Sequence, residues 1–497
     1  MEHIVYERRV SMRLSKLFMG APKVDVSGLC FDSRKVKKGN VYFCLPGMTY
    51  DGHDFIDQAI DRGAICIVHS KVLENTDRNV IYIQVEDVTD AMNKCAFIFY
   101  GKASTKMLMY GITGTNGKSS IATIIQSIRN SKESTGYIGT IAIRYADVNL
   151  LPDLTTPDAL FLNEKMQDMV RHQVKACALE VSSHGLAQHR VDSIDFDVAI
   201  FTNFTYDHLD FHGTFENYFD AKAMLFSQRV KKEGVSILNV DDEKYADLEK
   251  LCRSRIVTYG VDNKSDYQAK NVRIYPNYTT FDLIYEDAKY AIKTNLVANY
   301  NVYNLLASIA ALHETGMELD SIIQCCKNIE QIEGRMEQID CGQDFLVVAD
   351  FAHTPDGMEK MMQFARSVAG KSHKVISVFG SAGKRDVAKR KVFGEIADTY
   401  CDYIILTEDD PRDENPKDIA TQIREGIKTT NNIFISDRYE AIRQAIDSAN
   451  TGDVVLLLGK GDEVFMYHEF GRVPWIGDNV AAKECILNRL KESNHEM

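Results

Sequence analysis

Residues 111–120 read GITGTNGKSS, and the elements on either side of them decide the fold class. An apolar run, Met107 to Ile112, leads in. The segment that leads out carries Ile121, Ile124, Ile125 and Ile128 on the i, i+3, i+4, i+7 face of a helix. Strand, Gly-rich turn and helix in that order open a nucleotide-binding sheet of mostly parallel strands. In such a turn the glycines let backbone N–H groups face phosphate oxygens, and the helix N-terminus adds partial positive charge. Gly114, Thr115, Asn116, Gly117, Lys118 and Ser119 are therefore the expected triphosphate contacts, with Lys118 on the outer phosphates and the Ser119 hydroxyl on Mg2+. The loop is a variant: the general pattern puts its first glycine where Ile112 stands, and here that glycine is Gly111.

Working outward, KACALEV (175–181), DVAIFTNF (197–204) and GVSILNV (234–240) read as further strands of this sheet, and Asn301 to Leu312 as a helix closing it. VYFCL (41–45) and AICIVHS (64–70) with a helix over 54–62 make a smaller α/β unit before it, and four apolar strands, FLVVAD, KVISVFG, DYIILT and DVVLLLG, make one after it. A chain of 497 residues is too long for one core. The expected architecture is α/β in three domains, 1–103, 104–332 and 333–497, with the phosphate loop in the central one. A net charge of -13 argues against nucleic acid or anionic membrane as partners. No apolar run is long enough to span a bilayer, and the start, MEHIVYERRVSMRLSK, is charged where a signal peptide is apolar, so a cytoplasmic protein without membrane insertion is expected. Eleven cysteines with no C-x-x-C pair fit reduced core positions.

A second cluster follows in EVSSHGL from Glu180, TNFTYDHLD from Thr202 and YFDAKAMLF from Tyr218. Glu180 ends an apolar strand, where ligands gather in open α/β sheets, and a carboxylate there suits Mg2+. Asp207, His208, Asp210 and His212 also permit a transition-metal reading, although no cysteine accompanies them. Periodicity alone makes Lys222 an ordinary solvated helix lysine.

Together these motifs resemble those of the Mur ligase family, and they recur in order from Asp32 to Glu463, nearly the whole chain. The resemblance extends to the displaced first glycine of the loop and to the Y-x-x-x-K-x-x-L-F stretch, Tyr218 to Phe226. It implies an N-terminal UDP-binding domain, a central ATP-binding domain and a C-terminal Rossmann-like domain. It also implies that Lys222 is carbamylated and holds Mg2+ with Ser119, Glu180 and His208, so that Lys118, Lys222 and His208 are the catalytic residues. By the same resemblance Asn301 in ANYNVYN contacts adenine, Arg335 a phosphate and Asp350 the ribose, with His353 nearby; Ala298 and Tyr300 depart from the family's G-x-F-N. Ser33 in DSR and His53 in DGHDF fall to the uridine, and Thr155, Thr156, Ser182 and Arg190 to the sugar-peptide and its diphosphate.

Arg385, then Asp409, Asp410 and Arg412 of DDPR, and Gly459 and Glu463 of GKGDE resemble the family's amino-acid pocket. The implied activity is ATP-dependent addition of a diamino acid to UDP-N-acetylmuramoyl-L-alanyl-D-glutamate, through an acyl phosphate, by a monomer. Family members that add meso-diaminopimelate commonly carry D-N-P-R and G-K-G-H-E, so Asp410 and Asp462 are departures. Arg412 suits the distal carboxylate of diaminopimelate, which is favoured; the two extra acids lean toward L-lysine or another diamine. A folylpolyglutamate synthetase shares the G-T-N-G-K loop but does not account for DSR, EVSSHGL or DDPR, and a non-catalytic nucleotide-dependent switch would be favoured by loss of the Lys222 and Glu180 ligands, both of which are present.

Overall fold

Leu108–Thr113 lies between Ala176–Glu180 and Phe196–Phe201, parallel to both, inside an 11-stranded sheet. The computed structural model describes residues 11–47, 50–74, 76–77 and 79–495; the N-terminal stretch read above as carrying no apolar leader falls mostly outside them. The strand is apolar on both faces because both are covered. Tyr110 and Ile112 pack under the helices Lys118–Asn130 and Asn299–Glu314, and Met109 packs on the opposite side with Leu162, Met166 and Phe196. Gly111 is required here, since a Cβ would stand 2.7 Å from the Phe196 ring.

From this strand the chain builds first toward Thr135–Ile138 and Ala176–Glu180, then returns across to Phe196–Phe201, Val230–Asn239 and Arg255–Gly260. The reversal leaves a crevice beyond the carboxyl ends of the strands that flank it. The three strands expected after the loop are all present, and the expected closing helix runs Asn299–Glu314. An antiparallel extension, Tyr267–Ile274, Thr279–Tyr285 and Ala288–Thr294, was not legible in the sequence. Its second turn is Glu286-Asp287, with φ of 47° and 62°, a tight hairpin made without the usual Asn-Gly signal.

Gly28–Cys30, Asn40–Phe43, Cys66–His69 and Ile81–Gln84 form a parallel four-stranded sheet near the N-terminus. Its core takes in Ala159 and Leu160 of the central region, and Asn93 donates to the His189 carbonyl at 2.9 Å. The C-terminal sheet has six strands: Glu337–Gln338, Leu346–Asp350, Val454–Leu458, Val375–Phe379, Tyr403–Leu406 and Asn431–Phe434. Four were expected, and the added ones are a two-residue strand and an edge strand with only two apolar residues. All eleven cysteines are free. Among the described residues no helix is long and apolar enough to cross a membrane.

The helix Asp478–His495 is pinned beside the strand Val454–Leu458 by a buried ion pair, Arg438 to Asp478 at 2.6 Å, and Arg438 also donates to the Leu458 carbonyl at 2.9 Å. Removing one partner strands a charge in the core, so Asp478→Ala is expected to destabilise this region by about 3–5 kcal/mol. Trp475, the single tryptophan, donates to Asp478 at 3.2 Å and reports the loss directly in a urea titration followed by its fluorescence.

Candidate active site

The turn after Leu108–Thr113 is strapped to the end of the neighbouring strand. Thr115 N–H donates to the Asn203 carbonyl at 2.9 Å, Asn116 N–H to the Asn203 side chain at 2.9 Å, and the Thr202 hydroxyl to the Asn116 carbonyl at 2.6 Å. Gly114 (φ 147°) sits so close that a Cβ would meet the Thr202 hydroxyl at 1.8 Å, and Gly117 (φ 89°) adopts the left-handed conformation that begins the helix Lys118–Asn130. Lys118 rests on the carbonyls of Gly114 and Thr115 at 3.0 and 2.8 Å, and burial lowers its pKa. A partly buried ammonium held by carbonyl oxygens at a helix N-terminus has donors free to meet an anion.

Ser119 donates to Glu180 at 2.9 Å. The other oxygen of this fully buried carboxylate accepts from Tyr137 at 2.6 Å and from Thr140 N–H at 2.9 Å. A hydroxyl beside a carboxylate is a hard-oxygen set suited to Mg2+, which keeps waters and phosphate oxygens as its remaining ligands. Among the described residues no three or more His, Cys, Asp or Glu side chains are grouped to hold a metal by themselves. The transition-metal reading fails for that reason: His212 is bound to the Ser183 hydroxyl at 3.0 Å and Asp210 faces Arg385 at 3.4 Å. His208, with φ 55°, stands 3.3 Å from Asp207, and burial lowers its pKa to about 2, leaving a neutral imidazole.

Lys222 is 2% exposed, donates to the Gly114 carbonyl at 2.8 Å and lies over the Tyr218 ring. Burial, then the Lys118 charge, push its pKa well below the ordinary lysine value. The solvated-lysine reading is thus replaced by a buried amine directly beneath the phosphate loop.

The facing wall comes from the C-terminal sheet. Arg335 reaches the Ser119 hydroxyl at 3.3 Å and stacks on Phe351, Asp350 accepts from Met336 and Ala352 N–H at 2.7 Å each, and Asn116 donates to Asp356 at 2.9 Å. Farther along this wall, Lys460 is buried and donates to Asp410 at 2.7 Å and to Glu463; Arg412 donates to the Gly383 carbonyl at 2.6 Å. Between the two walls is a cavity of about 780 Å³, lined by Thr115–Ser119 on one side and by Arg385, Asp409, Asp410, Arg412, Gly459 and Glu463 on the other.

Residues 25–100 match the Mur ligase family catalytic domain, 112–312 the Mur ligase middle domain and 334–461 the Mur ligase glutamate ligase domain. The chain is 40% identical over 451 residues to the UDP-N-acetylmuramoyl-L-alanyl-D-glutamate–2,6-diaminopimelate ligase 1 of Clostridium acetobutylicum, covering 90% of this chain and 92% of that one. It belongs to the Mur ligase family. The corresponding ligase of Geobacillus kaustophilus is 40% identical over 449 residues, 89% of this chain and 91% of its own. A solved structure of a UDP-N-acetylmuramoyl-L-alanyl-D-glutamate–2,6-diaminopimelate ligase superposes with a TM-score of 0.69 at 28% identity, covering 96% of this chain and 99% of that one.

Not every residue singled out from the sequence lines the cavity of this Mur ligase. Thr155, Ser182, Arg190, Glu180, His208, Arg335, Asp350 and His353 do. Asn301 does not: it is buried, donating to the Val297 carbonyl at 2.8 Å and accepting from Asn304 at 3.0 Å, and Asn304, one turn further along, presents the amide to the cavity. Helical spacing could have found Asn304, because residues three apart share a face. Thr156 is also behind the wall, bonding the Glu180 carbonyl at 2.8 Å and Ser182 at 3.0 Å. Ser33 and His53 lie in short 3-10 turns, Ser33–Lys35 and Gly52–Phe55, that connect the N-terminal strands, outside this cavity. Ser33 bonds Gln58 at 2.5 Å, and both His53 ring nitrogens are taken, by Asp51 at 2.6 Å and by Ser70 N–H at 3.2 Å. His53 is therefore placed to shape its loop rather than to offer a free ring nitrogen.

Gly114→Ala forces the loop away from Thr202, and ADP affinity measured by calorimetry is expected to fall at least about tenfold, or about 1.4 kcal/mol. Unchanged affinity would mean the strap does not set the loop.

Proposed function

We propose that this Mur ligase uses ATP to join meso-diaminopimelate to the D-glutamate carboxylate of UDP-N-acetylmuramoyl-L-alanyl-D-glutamate, a cytoplasmic step of peptidoglycan precursor synthesis carried out by a monomer. The observation that carries this reading is one cavity faced by a phosphate loop from one domain and by two arginines, Arg385 and Arg412, from another. Its three-domain division at 103/104 and 332/333 gives each ligand its own sheet: the UDP end to the first, ATP to the second and the amino acid to the third.

A carboxylate is a poor electrophile and must be activated. In this reading a carboxylate oxygen bonds to the γ-phosphorus of ATP held at Gly114–Ser119, ADP departs with the bridging electron pair, and an acyl phosphate results. The amine then bonds to the acyl carbon, phosphate leaves and the nitrogen gives up a proton. Ser119 and Glu180, with His208 and carbamylated Lys222, would hold Mg2+, which supplies charge neutralisation at the phosphates when bound. The depressed pKa of Lys222 supports the carbamate, because only the neutral amine forms an N–C bond to CO2, losing a proton as it does so. Asn304 in place of Asn301 takes the adenine, with Asp350 at the ribose, Arg335 at a phosphate and His353 beside them. Thr155, Ser182 and Arg190 form the donor wall toward the sugar diphosphate, with Thr156 positioning Ser182, and Ser33 and the His53 loop mark the uridine end.

The acid at position 410 ceases to argue for a lysine substrate once its partner is considered. Lys460 is buried against Asp410, sharing its ammonium with Glu463, so this carboxylate already has a cation partner within the protein. Arg412 and Arg385 then remain to take the distal carboxylate, bidentate geometry favouring a guanidinium there.

ADP release in the presence of the UDP-dipeptide is expected to require diaminopimelate and to be poorly supported by L-lysine. Arg412→Ala should raise KM for diaminopimelate by about 10- to 100-fold, as loss of a charge-assisted hydrogen bond worth about 1.5–3 kcal/mol implies. A preference for lysine in the unmodified protein sinks the assignment of the third residue. Lys222→Ala should be nearly inactive and regain turnover with short carboxylic acids; full activity without them would remove the carbamate.

A further inference from the structure

Lys389, near the start of the helix Ala388–Tyr400, is 8% exposed and lines the central cavity. Its neighbours in the fold show how this molecule treats buried cations. Arg390 pairs with Glu414 at 2.8 Å, Arg438 with Asp478 at 2.6 Å and Lys460 with Asp410 at 2.7 Å. Lys389 has no such carboxylate among the described residues, and its one hydrogen bond is to the His353 carbonyl at 2.9 Å. An ammonium has three donors, and burying it without a counter-ion is costly unless a ligand supplies one. The same arrangement, an ammonium resting on carbonyl oxygens, is adopted by Lys118 in the phosphate loop.

None of the acids around Lys389 bonds it, although Asp386 keeps one oxygen, Oδ2, buried without a hydrogen-bond partner. Asp207 accepts from His208 N–H at 2.9 Å and faces its ring, Asp210 faces Arg385, and Asp386 accepts from Ala388 N–H at 3.0 Å. Asp409, the fourth, is drawn toward its neutral form by burial. The carbonyl that anchors Lys389 belongs to the loop after Leu346–Asp350, and that same loop leads to Asp356, which takes the Asn116 amide at 2.9 Å. Lys389 is thereby tied to the nucleotide side of the cavity. Arg412 and Lys460, by contrast, are anchored on Gly383 and on Asp410 with Glu463.

We propose that Lys389 is a second phosphate-binding lysine, supplied by the C-terminal domain, that hydrogen-bonds the phosphoryl group as it passes from ATP to the substrate carboxylate; the inference rests on the ligase reading above. In that step the bond from the γ-phosphorus to its bridging oxygen breaks, the electron pair leaves on ADP, and a carboxylate oxygen forms the new bond to phosphorus. Lys389 keeps its protons and donates to the non-bridging oxygens, where negative charge is redistributed. Phosphoryl transfer then needs the C-terminal domain in contact with the phosphate loop even before the amino acid binds.

The test uses the full-length protein with ATP, Mg2+ and the UDP-dipeptide, no amine, and borohydride to trap the acyl phosphate as the alcohol. Lys389→Met is expected to slow trapping by about 10²–10³-fold while ADP affinity and Trp475 fluorescence stay as in the parent protein; Lys389→Arg, which keeps the charge, should recover much of the rate. Should the methionine variant fail to fold, Lys389→Gln serves the same comparison. Trapping at the parental rate overturns the proposal, and so does a rise in KM for diaminopimelate with trapping intact, which would place Lys389 on the amino acid. Equal loss in the arginine and methionine variants overturns it as well. If the parent protein yields no trapped alcohol from the UDP-dipeptide, the ligase reading itself has failed and the inference falls with it.

Discussion

The hydrogen bonds from Thr202 and Asn203 to the turn at Thr115 and Asn116 hold the phosphate loop against the next strand of its sheet. Every other part of the site is placed relative to that strap. It fixes the start of the helix Lys118–Asn130, and so the Ser119 hydroxyl that meets Glu180 across the crevice. It also fixes the Gly114 carbonyl on which both Lys118 and Lys222 rest. Burial first, and then the charge of Lys118 at the same carbonyl, drive the deeper lysine toward its neutral form.

The C-terminal domain meets this fixed centre through polar contacts of modest size. Asn116 to Asp356, Arg385 to Asp210, Arg144 to Glu333 and Arg472 to Asp153 join the two sides, and the three ion pairs each have at least one well-exposed partner. Exposed pairs of this kind contribute at most about 1 kcal/mol each. Beside these pairs a buried apolar contact joins the two sides, Val297, Ala298 and Tyr300 packing with Met336, Met358 and Met361. The rigid interactions are kept inside each domain, in the Arg438–Asp478 pair and in the Lys460 bridge to Asp410 and Glu463.

Charge pairing also explains why sequence departures need not change chemistry. Asp410, in place of the family's asparagine, is absorbed by Lys460, and the Tyr467 N–H adds a further hydrogen bond at 3.0 Å. Asp462 is partly buried beside Gly334, and burial raises its pKa above the ordinary carboxylate value.

The sequence by itself determined the α/β class, the family and most of the cavity wall, because these are carried by local signals: an apolar strand, a glycine turn, an amphipathic helix and short motifs at strand ends. It could not determine the hairpin at Glu286-Asp287, whose positive φ values no local residue preference announces. Nor could it separate Asn304 from Asn301, give Lys222 its bond to the Gly114 carbonyl without the help of the family resemblance, or give Asp410 a partner fifty residues away. Those facts depend on which face of a helix is covered and on which distant charge is brought within hydrogen-bonding reach. Burial and long-range pairing are properties of the packed chain, and they decide whether a given carboxylate or amine is solvated, neutral or bound.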